Sequence, residues 1–225
     1  MPALTDNVRV YTTVYCLLAL ACITASIVGP PTALMLLFKG LPVGFLVFLL
    51  ARSTAAPADH YRRFILLGLG ASVTADVVIE LWFPGGLAIF LLAHVFYIIA
   101  MRLALKPFPL HPAPLIAGLV FGGVILALLL PGIPDVMLIP VLLYTGIILL
   151  MFIRAWTRAL RHSDEAGVWL MAIGALLFVI SDSLIGLNRW TVEIPHDRIT
   201  ILGTYFAAQW FICQSAIARA SARVL

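Results

Sequence analysis

The sequence predicts an all-α integral membrane protein with about eight transmembrane helices and both chain ends on one side. Three observations predict this. The 225 residues are 63% hydrophobic and 11% charged, with a mean hydropathy of +1.12. A soluble domain carries about twice that charged fraction. The apolar stretches suffice for about eight spans of ~20 residues joined by short turns. The basic residues gather in alternate connections, as the positive-inside rule requires.

The spans read in order as 9–28, 31–51, 63–83, 86–105, 113–130, 135–157, 166–187 and 198–219, forming a single transmembrane helical domain over 1–225. The first follows Asp6 and Arg9 directly and has no small-residue cleavage site, so it is expected to be a retained span. It stops at Gly29-Pro30-Pro31, because Pro lacks an N–H and Gly relaxes the backbone. The second ends at residue 51, just before Arg52. Pro84-Gly85-Gly86 divides the third from the fourth, and Lys106 through Pro114 divides the fourth from the fifth. The fifth is the shortest and ends at Pro131-Gly132-Ile133-Pro134; Pro140 should bend the sixth.

One side holds Arg9, Arg52, Arg62, Arg63, Arg102, Lys106, Arg154, Arg158, Arg161, Arg219 and Arg223, and the other only Arg189 and Arg198. This 11-to-2 split sets both termini in the cytoplasm and requires an even number of spans. A bacterial inner membrane is the expected location. These arginines account for the net charge of +4 through orientation and attraction to anionic lipid heads, so no nucleic-acid partner is expected. Cys16, Cys22 and Cys213 all fall in spans without metal-ligand spacing and read as small packing residues. A short echo aligns Ala75–Leu81 with Ser181–Leu187, third span with seventh, which would suit two parallel four-helix halves.

Asp76 and Asp182 are the most informative residues. A carboxylate at bilayer depth costs a few kcal/mol, about 3 by translocon scales, and is rarely there without a partner or a task. Each stands six residues before a wet boundary, Trp82 or Asn188, which puts both about 9 Å below the same membrane face. Lys39 and His94 lie roughly 13 Å below that face, with Tyr205 at a similar depth and Gln209 a turn deeper. All the buried polar residues are therefore expected in the extracytoplasmic half. Ser72, Asp76 and Glu80 share a helix face, as do Phe90, His94 and Tyr97, and Gly174, Phe178, Asp182 and Gly186. The glycines allow a neighbouring helix to approach closely.

Duller roles stand beside these. The two aspartates could be structural, Lys39 could be only their counter-ion, and Glu80 could be simply solvated. His94 could be a packing histidine, and Tyr97, Tyr205 and Gln209 interhelical hydrogen-bond partners. Nucleophile elbows, Cys/His clusters, phosphate loops and His-Glu-x-x-His are absent from the sequence. What remains is a carboxylate pair with His, Lys, Tyr and amide support, suited to acid–base chemistry or to proton-coupled transport.

Three segments carry a resemblance. They are Thr74 to Leu81, Gly86 to Tyr97 with its Phe-x-x-x-His-x-x-Tyr element, and Gly174 to Leu184 with Phe-x-x-Ser-Asp. Together with Thr204 to Gln209 and the eight-span length, they resemble the lysoplasmalogenase family of YhhN-like membrane proteins. Ala75 stands where that family usually has Gly, and Gly40-Leu41 separate Lys39 from Pro42 where it usually has Lys-Pro.

The resemblance implies hydrolysis of the vinyl ether bond of a lysophospholipid within the bilayer, without a cofactor or metal. Asp76, Asp182 and His94 would be catalytic, and Lys39, Tyr97, Ser181, Tyr205, Gln209 and Glu80 would bind substrate. Protonation of the β-carbon gives an oxocarbenium-like ion that water attacks, which needs an acid beside a carboxylate, as in glycosidases. The rivals are a proton-coupled transporter, an intramembrane aspartyl protease, which lacks its Gly-x-Gly-Asp pattern here, and a lipid-binding scaffold.

Overall fold

The computed structural model describes residues 2–53, 59–103 and 109–222, with the backbone alone for 2–7 and 103. Lys106 and Arg223, two of the charges used for orientation, lie outside the described residues. Among the described residues eight α-helices follow in order: α1 Pro2–Val28, α2 Thr32–Arg52, α3 His60–Leu81, α4 Phe83–Leu103, α5 Pro112–Leu129, α6 Asp135–Arg161, α7 Val168–Trp190 and α8 Asp197–Ala222. A single 3₁₀ turn, Leu130–Gly132, joins α5 to α6 at the expected Pro-Gly break.

Local chemistry fixes the ends. Gly29 takes φ of +69° and donates to the Ala25 carbonyl, and Pro30-Pro31 then start α2. The Asp59 side chain caps α3 by accepting from the Tyr61 N–H at 3.2 Å. Pro112 opens α5, where its missing N–H costs nothing. Helix α1 begins seven residues before the expected start, and α6 runs unbroken through Pro140.

Among the described residues, seven helices are long and apolar enough to cross a membrane. The exception is α8. Its 26 residues would span about 39 Å, but Asp197, Thr204, Gln209, Ser215 and Arg219 lower its hydropathy. It packs against α1, α2, α3 and α7 at once, and Gln209 and Ser215 are buried. A helix surrounded by protein can turn polar groups toward partners instead of lipid, so it needs less apolar surface.

Consecutive helices pack alike in the two halves of the chain, with α3 on α4 and α7 on α8 the most extensive pairs. Helix α4 also meets α6, as α8 meets α2, while α5 lies outside on α6 and α7. Gly174 allows the α7–α8 approach: a Cβ there would stand 3.0 Å from the Ala208 carbonyl oxygen and 2.8 Å from Ile212. Outward side chains such as Leu20, Ile116, Val136 and Leu143 are exposed and apolar, as a lipid-facing surface requires.

Buried polar side chains are not confined to one half, contrary to the sequence expectation. At the opposite end from the aspartates, Arg158 is 2% exposed, and Thr157, Ser215 and Asp59 are buried with it. The reason is local compensation. Both Nε and Nη2 of Arg158 bond one oxygen of Glu165, and Arg219 Nη1 reaches that oxygen at 3.4 Å. The Tyr61 ring lies under both guanidinium groups, 5.4 and 5.2 Å away, and its hydroxyl bonds Ser215 at 2.9 Å.

Candidate active site

The i, i+4, i+8 stripe on α3 turns Ser72, Asp76 and Glu80 toward α4, α8 and α2 in succession from deep to shallow. A cavity of about 500 Å³ opens above them between α2, α3, α7 and α8. Six of the nine residues singled out from sequence line it: Lys39, Asp76, Glu80, Ser181, Asp182 and Tyr205. Both aspartates therefore face one space. Lys39 Nζ pairs with Glu80 at 3.0 Å, and its side chain is otherwise buried. Ser181 is turned aside to donate to the Ile201 carbonyl at 3.0 Å, tying α7 to α8.

Each aspartate receives a tyrosine hydroxyl. Tyr205 donates to Asp76 Oδ2 at 2.7 Å. Behind it Gln209 Nε2 donates to the Tyr205 hydroxyl at 3.2 Å, Tyr97 donates to Gln209 Oε1 at 2.9 Å, and Ser72 stands 3.4 Å from Tyr97. Asp76 thus ends a chain of buried hydrogen bonds that includes Tyr97 and Gln209, neither of which lines the cavity. The chain fits because Gly68 has no side chain where the Tyr97 ring packs.

Asp182 Oδ2 accepts from Tyr144 on α6. The sequence reading missed Tyr144. Its only signal was a lone hydroxyl on the apolar face it shares with Val141 and Ile148. His94 stands beside it, outside the cavity lining and 0% exposed, with ring centroids 5.4 Å from Tyr144, 4.6 Å from Phe178 and 6.5 Å from Tyr97. Among the described residues, neither His94 ring nitrogen completes a hydrogen bond.

Asp182 belongs to a second space as well. A narrow apolar crevice of about 70 Å³ runs between α5, α6 and α7, lined by Tyr144, Ile148, Leu149 and Gly122. Asp182, Ile79, Phe83, Phe90 and Ile185 line both spaces, whereas Asp76 and Tyr205 face the polar cavity alone. The crevice persists where Gly186 lets α5 close in, a Cβ there standing 3.0 Å from Leu129. The arrangement offers two carboxyl groups, water access from the polar side, and an apolar approach to one of them.

Comparison with known proteins places these residues in context. Residues 34–216 match the YhhN family model. The chain is 34% identical over 165 residues to the lysoplasmalogenase TMEM86B of Homo sapiens, covering 72% of this chain and 67% of that protein. It is 32% identical over 196 residues to the human lysoplasmalogenase TMEM86A, covering 83% and 80%. The lysoplasmalogenase of Mycobacterium bovis is 31% identical over 175 residues, or 74% and 65%. No solved structure matches the chain. The match spans both aspartates, both tyrosines that bond them, and every residue that lines the cavity, and on it the chain belongs to the YhhN family.

Proposed function

We propose that this protein hydrolyses the vinyl ether bond of lysoplasmalogen-type lysophospholipids, releasing a fatty aldehyde and a glycerophospho-base, with Asp76 and Asp182 as its acid–base pair. The observation that carries this reading is the position of Asp182 at the junction of a polar cavity and an apolar crevice. A lysoplasmalogen has the same division. Its hydrocarbon chain joins a polar glycerophospho-base through the bond to be cleaved.

The geometry also suggests which acid does what. The carbon that must be protonated is on the hydrocarbon side of the ether oxygen, where Asp182 alone has access. Asp182 donates its proton to that β-carbon, and the double-bond electrons form the new C–H bond. The resulting oxocarbenium ion is stabilised by the carboxylates. Asp76, facing the polar cavity, takes a proton from the attacking water. The hemiacetal then loses its hydroxyl proton to the ionised Asp182 while Asp76 returns its proton to the departing glycerol oxygen, so no net proton is consumed. Tyr144 and Tyr205 hold one oxygen of each carboxyl and leave the other for proton transfer. His94 packs on Tyr144 and acts through it as a positioning residue.

The 11-to-2 distribution of basic residues supports an orientation with both termini cytoplasmic and the cavity opening on the other side. The test of the function is aldehyde release from a synthetic lysoplasmalogen by purified protein in detergent. Wild type releases aldehyde and folded Asp182→Asn does not. Near-normal turnover by both Asp182→Asn and Asp76→Asn would sink the carboxylate mechanism. Failure of wild type across a panel of head groups would point to the transporter instead.

A further inference from the structure

Two arginines stand in register above the acid layer. Arg189 is seven residues beyond Asp182 on α7, and Arg198 seven residues before Tyr205 on α8. Seven residues are two turns, about 10 Å, and return to nearly the same helix face. Both line the mouth of the polar cavity that holds Asp76 and Asp182. These are the two basic residues that the charge distribution leaves on the cavity side.

Their surroundings hold them in place. The Arg189 guanidinium lies 3.9 Å over the ring of Phe83, a residue shared by the cavity and the crevice. Arg189 makes no ion pair among the described residues. Asn188 Nδ2 donates to Asp197 at 3.0 Å, and Asn188 Oδ1 accepts from the Ile194 N–H at 2.8 Å. This brace locks the α7–α8 connection on which both arginines sit. Arg198 Nε is 3.9 Å from Asp197, loosely paired and half exposed. An arginine stacked on an aromatic ring keeps its N–H edge free for a bidentate anion. Lys39, deeper in the cavity, is already taken by Glu80.

We propose that Arg189 and Arg198 bind the phosphate of the lipid substrate at the cavity mouth. This places the glycerol between the arginines and the acid layer, and the hydrocarbon chain in the crevice beside Asp182. The inference rests on the lipid-hydrolase reading but has its own test. The approximately 10 Å rise between Asp182 and Arg189 suits a glycerol backbone plus the reach of an arginine side chain.

The test is binding of two uncleavable lipids of equal chain length, a saturated 1-O-alkyl lysophosphatidylcholine and a 1-O-alkylglycerol, followed by tryptophan fluorescence in detergent. Wild type is expected to prefer the phosphate lipid by about tenfold or more, the scale of a charge-assisted hydrogen bond. The preference should narrow with salt. It should fall below about threefold in Arg189→Gln/Arg198→Gln, with partial rescue by the two lysine variants. The alkylglycerol titration reports folding of each variant, and the salt series on wild type reads the same property without a variant.

A preference unchanged in the glutamine variants, or absent and salt-independent in wild type, overturns the proposal. So does displacement of the lipid by inorganic phosphate at matching concentration, which would make the pair a free-anion site. Aldehyde release is scored separately. A phosphate preference without hydrolysis sinks the enzymatic reading alone, and hydrolysis without the preference sinks this inference alone.

Discussion

The two ends of the helix bundle both bury charge, and they do so in opposite ways. At the Arg158 end the charges close on one another: Arg158 and Arg219 both meet one oxygen of Glu165, and the Tyr61 ring lies against both guanidinium groups. At the Asp76 end the charged groups line a cavity of about 500 Å³, and among the described residues neither aspartate has a cation at bonding distance. A charge cluster closed on itself fixes how helices meet, because removing one member strands the rest. Carboxyls bonded only by tyrosine hydroxyls and facing open space keep an oxygen available for chemistry. Burial alone does not separate the two cases; what the charge faces does.

The comparison breaks most sharply under single substitutions at each end. Folded Asp76→Asn and Asp182→Asn should each lower kcat by about 10²- to 10⁴-fold, the usual range for a general acid or base. Neither should lower the unfolding midpoint. Arg158→Met should do the reverse. It strands part of the Glu165 charge and is expected to cost about 3 kcal/mol of stability, with turnover per folded molecule within roughly twofold of wild type. The checks are thermal unfolding in detergent beside aldehyde release. An Arg158→Met protein that is fully stable but inactive would erase the distinction between the two ends.

The tyrosines sharpen the contrast within the cavity. Tyr205→Phe and Tyr144→Phe each remove one hydrogen bond to a carboxyl, an expected loss of about tenfold or more in kcat. They differ in what lies behind. Tyr205 also accepts from Gln209, so its loss leaves the Gln209–Tyr97 chain short of a partner and should lower stability as well. Tyr144 has aromatic His94 and the crevice behind it, so Tyr144→Phe should leave stability nearly unchanged and alter KM for long-chain substrates. Equal effects of the two variants on stability would show that the chain behind Asp76 is not coupled to it.

The frame of this site was legible in the sequence because helix periodicity and depth are one-dimensional properties. Asp76 and Asp182 could be placed at one level, with Tyr205 somewhat deeper, by counting residues to a polar boundary, and the structure puts all three on one cavity. Partner choice was not legible. Lys39 reads from sequence as a substrate-binding residue or as a counter-ion for the aspartates; it bonds Glu80, and the rotation of α2 against α3 that sets this pairing cannot be counted from a chain end. Tyr144 went unnoticed for the same reason: its importance comes from facing α7, not from its own neighbours. Arg158 counted only as a topological charge, although it is among the most buried side chains in the molecule. The polar character of α8 misleads in the other direction, since a central helix can carry residues a lipid-facing one cannot.

The smallest effect tests Lys39, whose pairing leaves its purpose open to measurement. Glu80 is at the cavity rim with 28% of its side chain exposed, while the Lys39 side chain is at 8%. A pair so placed is partly solvated, and its coupling should be roughly 1 kcal/mol, about a fivefold change in kcat/KM. Glu80→Gln frees Lys39 to turn toward Asp76 or cavity water, so the loss should be modest and should shrink at high salt. A double-mutant cycle with Lys39→Met separates two roles. If Lys39 serves Glu80 alone, Lys39→Met has no effect in the Glu80→Gln background. If Lys39 acts on the aspartates or the substrate directly, its effect persists there undiminished. The 3.0 Å pairing and the coupling expected from it favour the first outcome, because Glu80 is the charged group that Lys39 reaches.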